Sequence, residues 1–290
     1  MHLQGLYQHL EAQAVASIDG VLVAGTMGLL QLLSDRVYQD LVVHSSSHWK
    51  DHGELLVGVG DTSYLRTLER LRFVNELPID GAVVLSPYFL TFSQDELVDY
   101  FTALANASHV PLYLYDLPQR TRTHLELETV LTLSEHPNIA GIKCSGDIDQ
   151  TKLLISAMKG HDFRVIVAKP ALLESLIREG VSQHLDGVFC IAPQITRQIA
   201  VAADRGDWEV ARKLNKNLEQ FLATLTDYGV FPAMTALLNA LGIEGRFAPR
   251  PFRMLSKETQ KRLFAEQAVI DIFGENFPQS ISQQTTVSLS

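Results

Sequence analysis

The sequence predicts an α/β protein, a (β/α)8 barrel that lacks its first strand and carries a C-terminal helical extension. Three observations lead there. Short β-branched apolar runs alternate with amphipathic stretches, the C-terminal ends of those runs carry unlike polar residues, and no GxGxxG follows any of them.

The runs are VLVAGT (21–26), LLVGVG (55–60), GAVVLSP (81–87), LYLYDL (112–117), AGIKCS (140–145), FRVIVAK (163–169) and GVFCIAP (187–193). They are continuous rather than alternating, as parallel strands covered on both faces should be. Ser34 with Asp35, Asp61 with Thr62, and Ser93 ahead of Gln94 and Glu96 are expected helix starts. The strand spacing suits successive right-handed βαβ units, which build either a barrel or a doubly wound sheet. Thr26, Tyr88, Tyr115 and Lys143 at the run ends favour the barrel, because a barrel assembles its site from the ends of several strands. The missing dinucleotide fingerprint argues against the doubly wound alternative.

Seven strands are expected, and the chain opens on a helical segment, HLQGLYQHLEAQAVAS. An unfilled gap would leave two strand edges without partners. After about residue 195 the pattern turns wholly helical, punctuated by Gly206, Gly229 and Gly242. The expected organisation is a barrel over 1–195, a helical cap over 196–274 and a disordered tail over 275–290.

With 46% apolar and 20% charged residues, the 290-residue chain has an ordinary globular composition. No apolar run approaches the roughly 20 residues that cross a bilayer, so a membrane role is not expected. The net charge of -9 and scattered basic residues give no footprint for nucleic acid. The two cysteines, Cys144 and Cys190, lie in apolar runs and are expected as reduced core thiols in a cytoplasmic setting.

Lys143 closes a buried strand, where a charge is costly. Its stem could lie along apolar surface with the ammonium in solvent or paired with Asp147. Alternatively, burial disfavours the ammonium and makes available an amine that attacks a ketone to form a Schiff base. That chemistry needs a proton carrier. Tyr115 ends the preceding strand and would be Lys143's neighbour in a closed barrel, although a tyrosine there also suits a core ring with a wet hydroxyl. The turn AGTMG (24–28) exposes backbone N–H groups able to hold an anion, a weak signal by itself.

Taken in order, GTxG, SPYF (86–89), YDLPQRT (115–121), GIKCSGD (141–147) and DGVFCIAP (186–193) resemble the dihydrodipicolinate synthase and N-acetylneuraminate lyase family. The resemblance runs from about residue 18 to residue 270. It implies a pyruvate-dependent class I aldolase or lyase on a (β/α)8 barrel with a helical cap, and an additional first strand ahead of the opening helix. Lys143 would be the Schiff-base lysine, Tyr115 the proton shuttle and Thr26 the hydroxyl of the relay. The N–H groups of Thr26 and Met27 would hold the keto-acid carboxylate, Arg120 a second substrate's carboxylate, and Phe189 would line the pocket with its carbonyl.

The chain departs from the family pattern where it has Met27, Leu29, Phe89, Cys144 and Arg122. Phe89 stands where the synthase branch has a tyrosine that completes a relay across a dimer interface, so that relay is cut or uses water. The reading is therefore an aldolase or lyase for pyruvate or another 2-keto acid and an aldehyde, with no metal or cofactor, working as a homodimer or homotetramer. The synthase proper is the alternative within the class. A barrel that has lost catalysis, and binds a keto acid or serves assembly, is the alternative outside it. His44, His48 and His52 read as one solvated helical face rather than a metal site, and VGVGDTS is no phosphate loop, since no Lys-Ser or Lys-Thr follows.

Overall fold

The structure, a computed structural model, describes residues 1–275 and 277. The expected tail over 275–290 therefore lies almost wholly outside the described residues. The chain divides into two compact units. The first holds residues 19–169 and 181–187, with Met1; the second holds 2–18, 170–180 and 188 onward.

The second unit contains α1 (Leu3–Val15), and the first opens with β1 (Gly20–Val23), α2 (Asp35–Trp49), β2 (Glu54–Gly58), α3 (Tyr64–Val74) and β3 (Gly81–Leu85). It continues with α4 (Gln94–Ala107), β4 (Leu112–Asp116), the single turn α5 (Pro118–Thr121), α6 (Leu127–Ser134), β5 (Ile139–Cys144), α7 (Ile148–Ala157) and β6 (Arg164–Val167). All strand pairs are parallel and follow chain order, β1 to β6. Ser34 caps α2 and Ser93 forms a full capping box with Glu96 on α4, as expected. The α3 cap differs from expectation: Ser63 takes it, because Asp61 is engaged by Arg66 at 3.0 Å and Arg70 at 2.9 Å.

The sheet is curled. Four flat strand spacings would separate β2 from β6 by about 19 Å, yet Arg164 at the start of β6 makes a bidentate pair with Glu54 at the start of β2. Arg164 also donates to the Tyr113 hydroxyl at 2.9 Å and to Gln183 at 2.9 Å, so one guanidinium on β6 gathers partners from β2, β4 and the 181–187 segment at the N-terminal end. Above it the inward residues form an apolar layer that includes Leu56, Val83, Leu85, Tyr113, Tyr115 and Ile166. The Tyr113 ring takes the space of absent side chains: a Cβ at Gly81 would lie 2.8 Å from it and one at Gly141 3.0 Å.

Six strands are present among the described residues where seven were expected. The segment 187–193 is not a strand. It coils into a 3-10 helix, Gly187–Cys190, and runs into α9 (Pro193–Asp204), which follows α8 (Leu173–Arg178). The Cys190 carbonyl accepts from His9 Nε2 at 3.0 Å and Gln13 Nε2 at 2.9 Å, both on α1. Side chains thus satisfy a group that a ladder would otherwise need. The outer edge of β6 is met earlier, where the Val167 N–H donates to Gln183 O and the Leu185 N–H to Val167 O.

The second unit is helical and also comprises α10 (Trp208–Asp227), α11 (Val230–Ala240), α12 (Lys257–Phe264) and α13 (Gln267–Phe273). Phe221 of α10 meets Phe273 of α13 edge-on at 5.7 Å, and the fully buried Leu237 and Leu238 line α11. Among the described residues no single helix is long and apolar enough to cross a membrane.

Candidate active site

Parallel strands in chain order end on one rim, and the first unit brings most of the predicted site residues to it. Tyr115 and Lys143 are register partners on β4 and β5. Both side chains are buried, at 6% and 5% exposure. The Lys143 Nζ lies 4.0 Å from the centroid of the Tyr115 ring, a cation–π geometry, and 3.0 Å from Ser145 Oγ. Leu85 of β3 is the register partner of Tyr115 on its other side.

Thr26 and Met27 lie in the turn after β1. That turn is tight: the Leu29 N–H donates to the Thr26 carbonyl at 3.1 Å, and Leu29 is left-handed at φ 56°. The Thr26 hydroxyl is buried with no hydrogen-bond partner among the described residues, and so is that of Ser86 at the end of β3. Met27 packs against Gly187, where a Cβ would lie 2.3 Å from its side chain.

Arg120 is exposed on α5, immediately beyond β4. Phe189 is half-buried in the 3-10 helix and belongs to the second unit. Phe89 is 79% exposed and left-handed at φ 88°, with Leu90 beside it also exposed. Of the histidine series, His44 and His48 lie on α2, but His52 falls past its end, so the three do not share a helical face. Among the described residues no group of three or more His, Cys, Asp or Glu is placed to hold a metal ion.

Three features of the rim escaped the sequence reading. Ser145 follows Lys143 at the strand period of two, a signal that was legible. Asp116 is a staple: its carboxylate accepts from the Leu125 N–H at 3.0 Å and from His124 Nδ1 at 2.9 Å, closing the loop that carries Arg120. This hydrogen bond pushes the His124 pKa up against the opposing effect of burial. Burial alone would raise the Asp61 pKa, but the Thr62 N–H and the Arg70 and Arg66 guanidiniums overcome it and hold the carboxyl below the usual range. Tyr88 sits against the same cluster, and burial pushes its phenol up. Cys144 faces away from Lys143, and burial pushes its thiol up to about 12. No disulfide joins Cys144 and Cys190.

The curled parallel sheet thus carries a buried lysine against a tyrosine at its C-terminal rim, residue types that suit carbonyl chemistry. Comparison with known proteins agrees. The model of the dihydrodipicolinate synthetase family matches residues 1–268. The chain belongs to that family, and it is an aldolase-type lyase. It is 28% identical over 273 residues to 4-hydroxy-tetrahydrodipicolinate synthase 1 of Streptomyces coelicolor, covering 91% of this chain and 87% of the relative. It is 31% identical over 271 residues to 4-hydroxy-tetrahydrodipicolinate synthase of Limosilactobacillus fermentum, covering 90% and 83%. Among solved structures, the chloride-inhibited dihydrodipicolinate synthase of Acinetobacter baumannii complexed with pyruvate superposes with a TM-score of 0.83. That match is 24% identical and covers 94% of this chain and 93% of the other.

Proposed function

We propose that the protein forms a Schiff base between Lys143 and pyruvate or another 2-keto acid. The resulting enamine adds to an aldehyde, or, in the reverse direction, carbon–carbon cleavage of a longer keto acid's Schiff base expels the aldehyde and leaves the enamine on Lys143, which protonation and hydrolysis return as pyruvate. The observation that carries this is the register pair of buried Lys143 and Tyr115, with Nζ 4.0 Å from the ring. The amine nitrogen bonds to the keto carbon, the keto oxygen leaves as water, and loss of a proton from the adjacent carbon gives the enamine. Tyr115 carries protons in these steps. The buried Thr26 hydroxyl, lacking a partner among the described residues, serves the relay. The N–H groups of Thr26 and Met27 hold the keto-acid carboxylate, and exposed Arg120 takes the carboxylate of a second substrate.

The family and the pyruvate complex of a structural neighbour support the keto acid. The six strands of the first unit are read as the wall of a (β/α)8 barrel, and residues 196 to 274 as the C-terminal helical extension. The protein works in the cytoplasm as a homodimer or homotetramer. Phe89 and Met27 replace polar residues of the synthase branch, which favours a different aldehyde partner over aspartate semialdehyde.

Borohydride with pyruvate should fix a covalent adduct on Lys143, visible by peptide mass. An unmodified protein after that treatment overturns the proposal. A panel of aldehydes, aspartate semialdehyde among them, then separates the aldolase from the synthase. Trapping without turnover on any aldehyde points to a binding protein.

A further inference from the structure

We infer that Ser145 is a positioning residue for Lys143, holding the amine in the orientation from which it attacks. The inference rests on the reading of Lys143 as the nucleophile. Ser145 stands just past the end of β5, on the same side as Lys143 by the strand period, and its Oγ lies 3.0 Å from Nζ.

The hydroxyl is anchored through its own backbone. The Ser145 N–H donates to the Asp116 carbonyl at 2.9 Å, and the Ser145 carbonyl accepts from Gln119 Nε2 at 3.3 Å. Asp116 is itself held by its carboxylate bonds to Leu125 and His124. The β4 end, the following loop and the β5 end are thereby joined at Ser145.

A lysine side chain has a long flexible stem, and a free amine there would sample many directions. Between the Tyr115 face at 4.0 Å and the Ser145 hydroxyl, Nζ has one place to be. One N–H engaged by Ser145 also fixes rotation about the terminal carbon–nitrogen bond and keeps the lone pair off the serine. Positioning of this kind acts on the rate of attack rather than on substrate affinity.

The test is a time course of borohydride-quenched adduct formation over a range of pyruvate concentrations, with intact mass as readout. Ser145→Ala should lower the limiting rate about tenfold, the scale of one hydrogen bond to an ionisable group. The half-saturating pyruvate concentration and thermal midpoint should stay unchanged, and Ser145→Thr, which keeps the hydroxyl, should restore the rate. If the parent protein forms adduct and Ser145→Ala forms it equally fast, the role of Ser145 is overturned while that of Lys143 stands. A loss confined to pyruvate affinity, or no rescue by threonine, also overturns it. If the parent protein forms no adduct, the reading of Lys143 fails and the inference falls with it. Should Ser145→Ala unfold, Ser145→Cys decides: it keeps the volume with a poor acceptor, and must be slow for the inference to hold.

Discussion

The side chain of Lys143 brings Nζ to 4.0 Å from the Tyr115 ring centroid, so the basic nitrogen at the end of β5 rests on the aromatic face at the end of β4. Ring and hydroxyl have separable parts to play. Tyr115→Phe keeps the ring under Lys143 and removes the proton carrier. Turnover should fall about 10²- to 10⁴-fold with the fold intact, measured as steady-state rate beside a circular dichroism melt. A variant that retains full turnover would assign the proton transfers elsewhere.

Lys143→Ala removes a buried basic side chain without stranding a carboxylate, since the contacts of Nζ are a ring and a hydroxyl. It should fold as the parent does and form no adduct with pyruvate and borohydride. Adduct elsewhere on the variant would place the nucleophile at a different lysine.

Cys144 neighbours Lys143 in sequence but its thiol is buried and pushed up to about 12. At pH 8 almost no thiolate forms, so iodoacetamide should leave Cys144 unmodified in the native protein and label it once urea unfolds the chain. Peptide mass mapping reads this directly. Rapid native labelling would show that the outer face of β5 opens.

Arg164 bonds Glu54, Tyr113 and Gln183 at the end of the sheet opposite the lysine. Arg164→Met should cost about 1–3 kcal/mol in urea unfolding, because three acceptors lose one donor. The rate of adduct formation in the folded variant should change little, since the rim at the other strand ends is untouched.

The His124–Asp116 bond gives a pH signature. His124 has its pKa raised in the folded protein, so the stability it contributes is full below about pH 6.5, its unfolded value, and is lost as pH rises through the folded value. The stability difference between the parent and His124→Gln should therefore shrink above neutrality. The effect is small, because the imidazole is partly exposed and screened by solvent. Denaturant midpoints at pH 6 and pH 9 check it, and a difference that grows with pH would contradict the assignment.

The Lys143–Tyr115 pair was legible because both ends of it are local: continuous apolar runs locate β4 and β5, and chain-order pairing makes their ends neighbours. Ser93 with Glu96 was legible for the same reason, a cap being decided within one helical turn. Ser63 was missed as the cap of α3 because Asp61, the better-looking candidate, is drawn away by Arg66 and Arg70. The segment 187–193 was misread as a strand because its composition suits one. Whether it forms depends on what neighbours its carbonyls find, and His9 and Gln13 lie far away in sequence.

The sequence by itself determined the alternation of strands and helices, the lysine at a strand end and the family to which the chain belongs, all properties of local pattern and order. Only the tertiary structure decided the number of strands, the bond from Ser145 to Lys143 and the staple of Asp116 on His124 and Leu125. These are pairings between side chains and backbone groups whose partners are chosen by distance in space. Apolar periodicity says which face of a strand is buried, and it cannot say which polar atom meets another there.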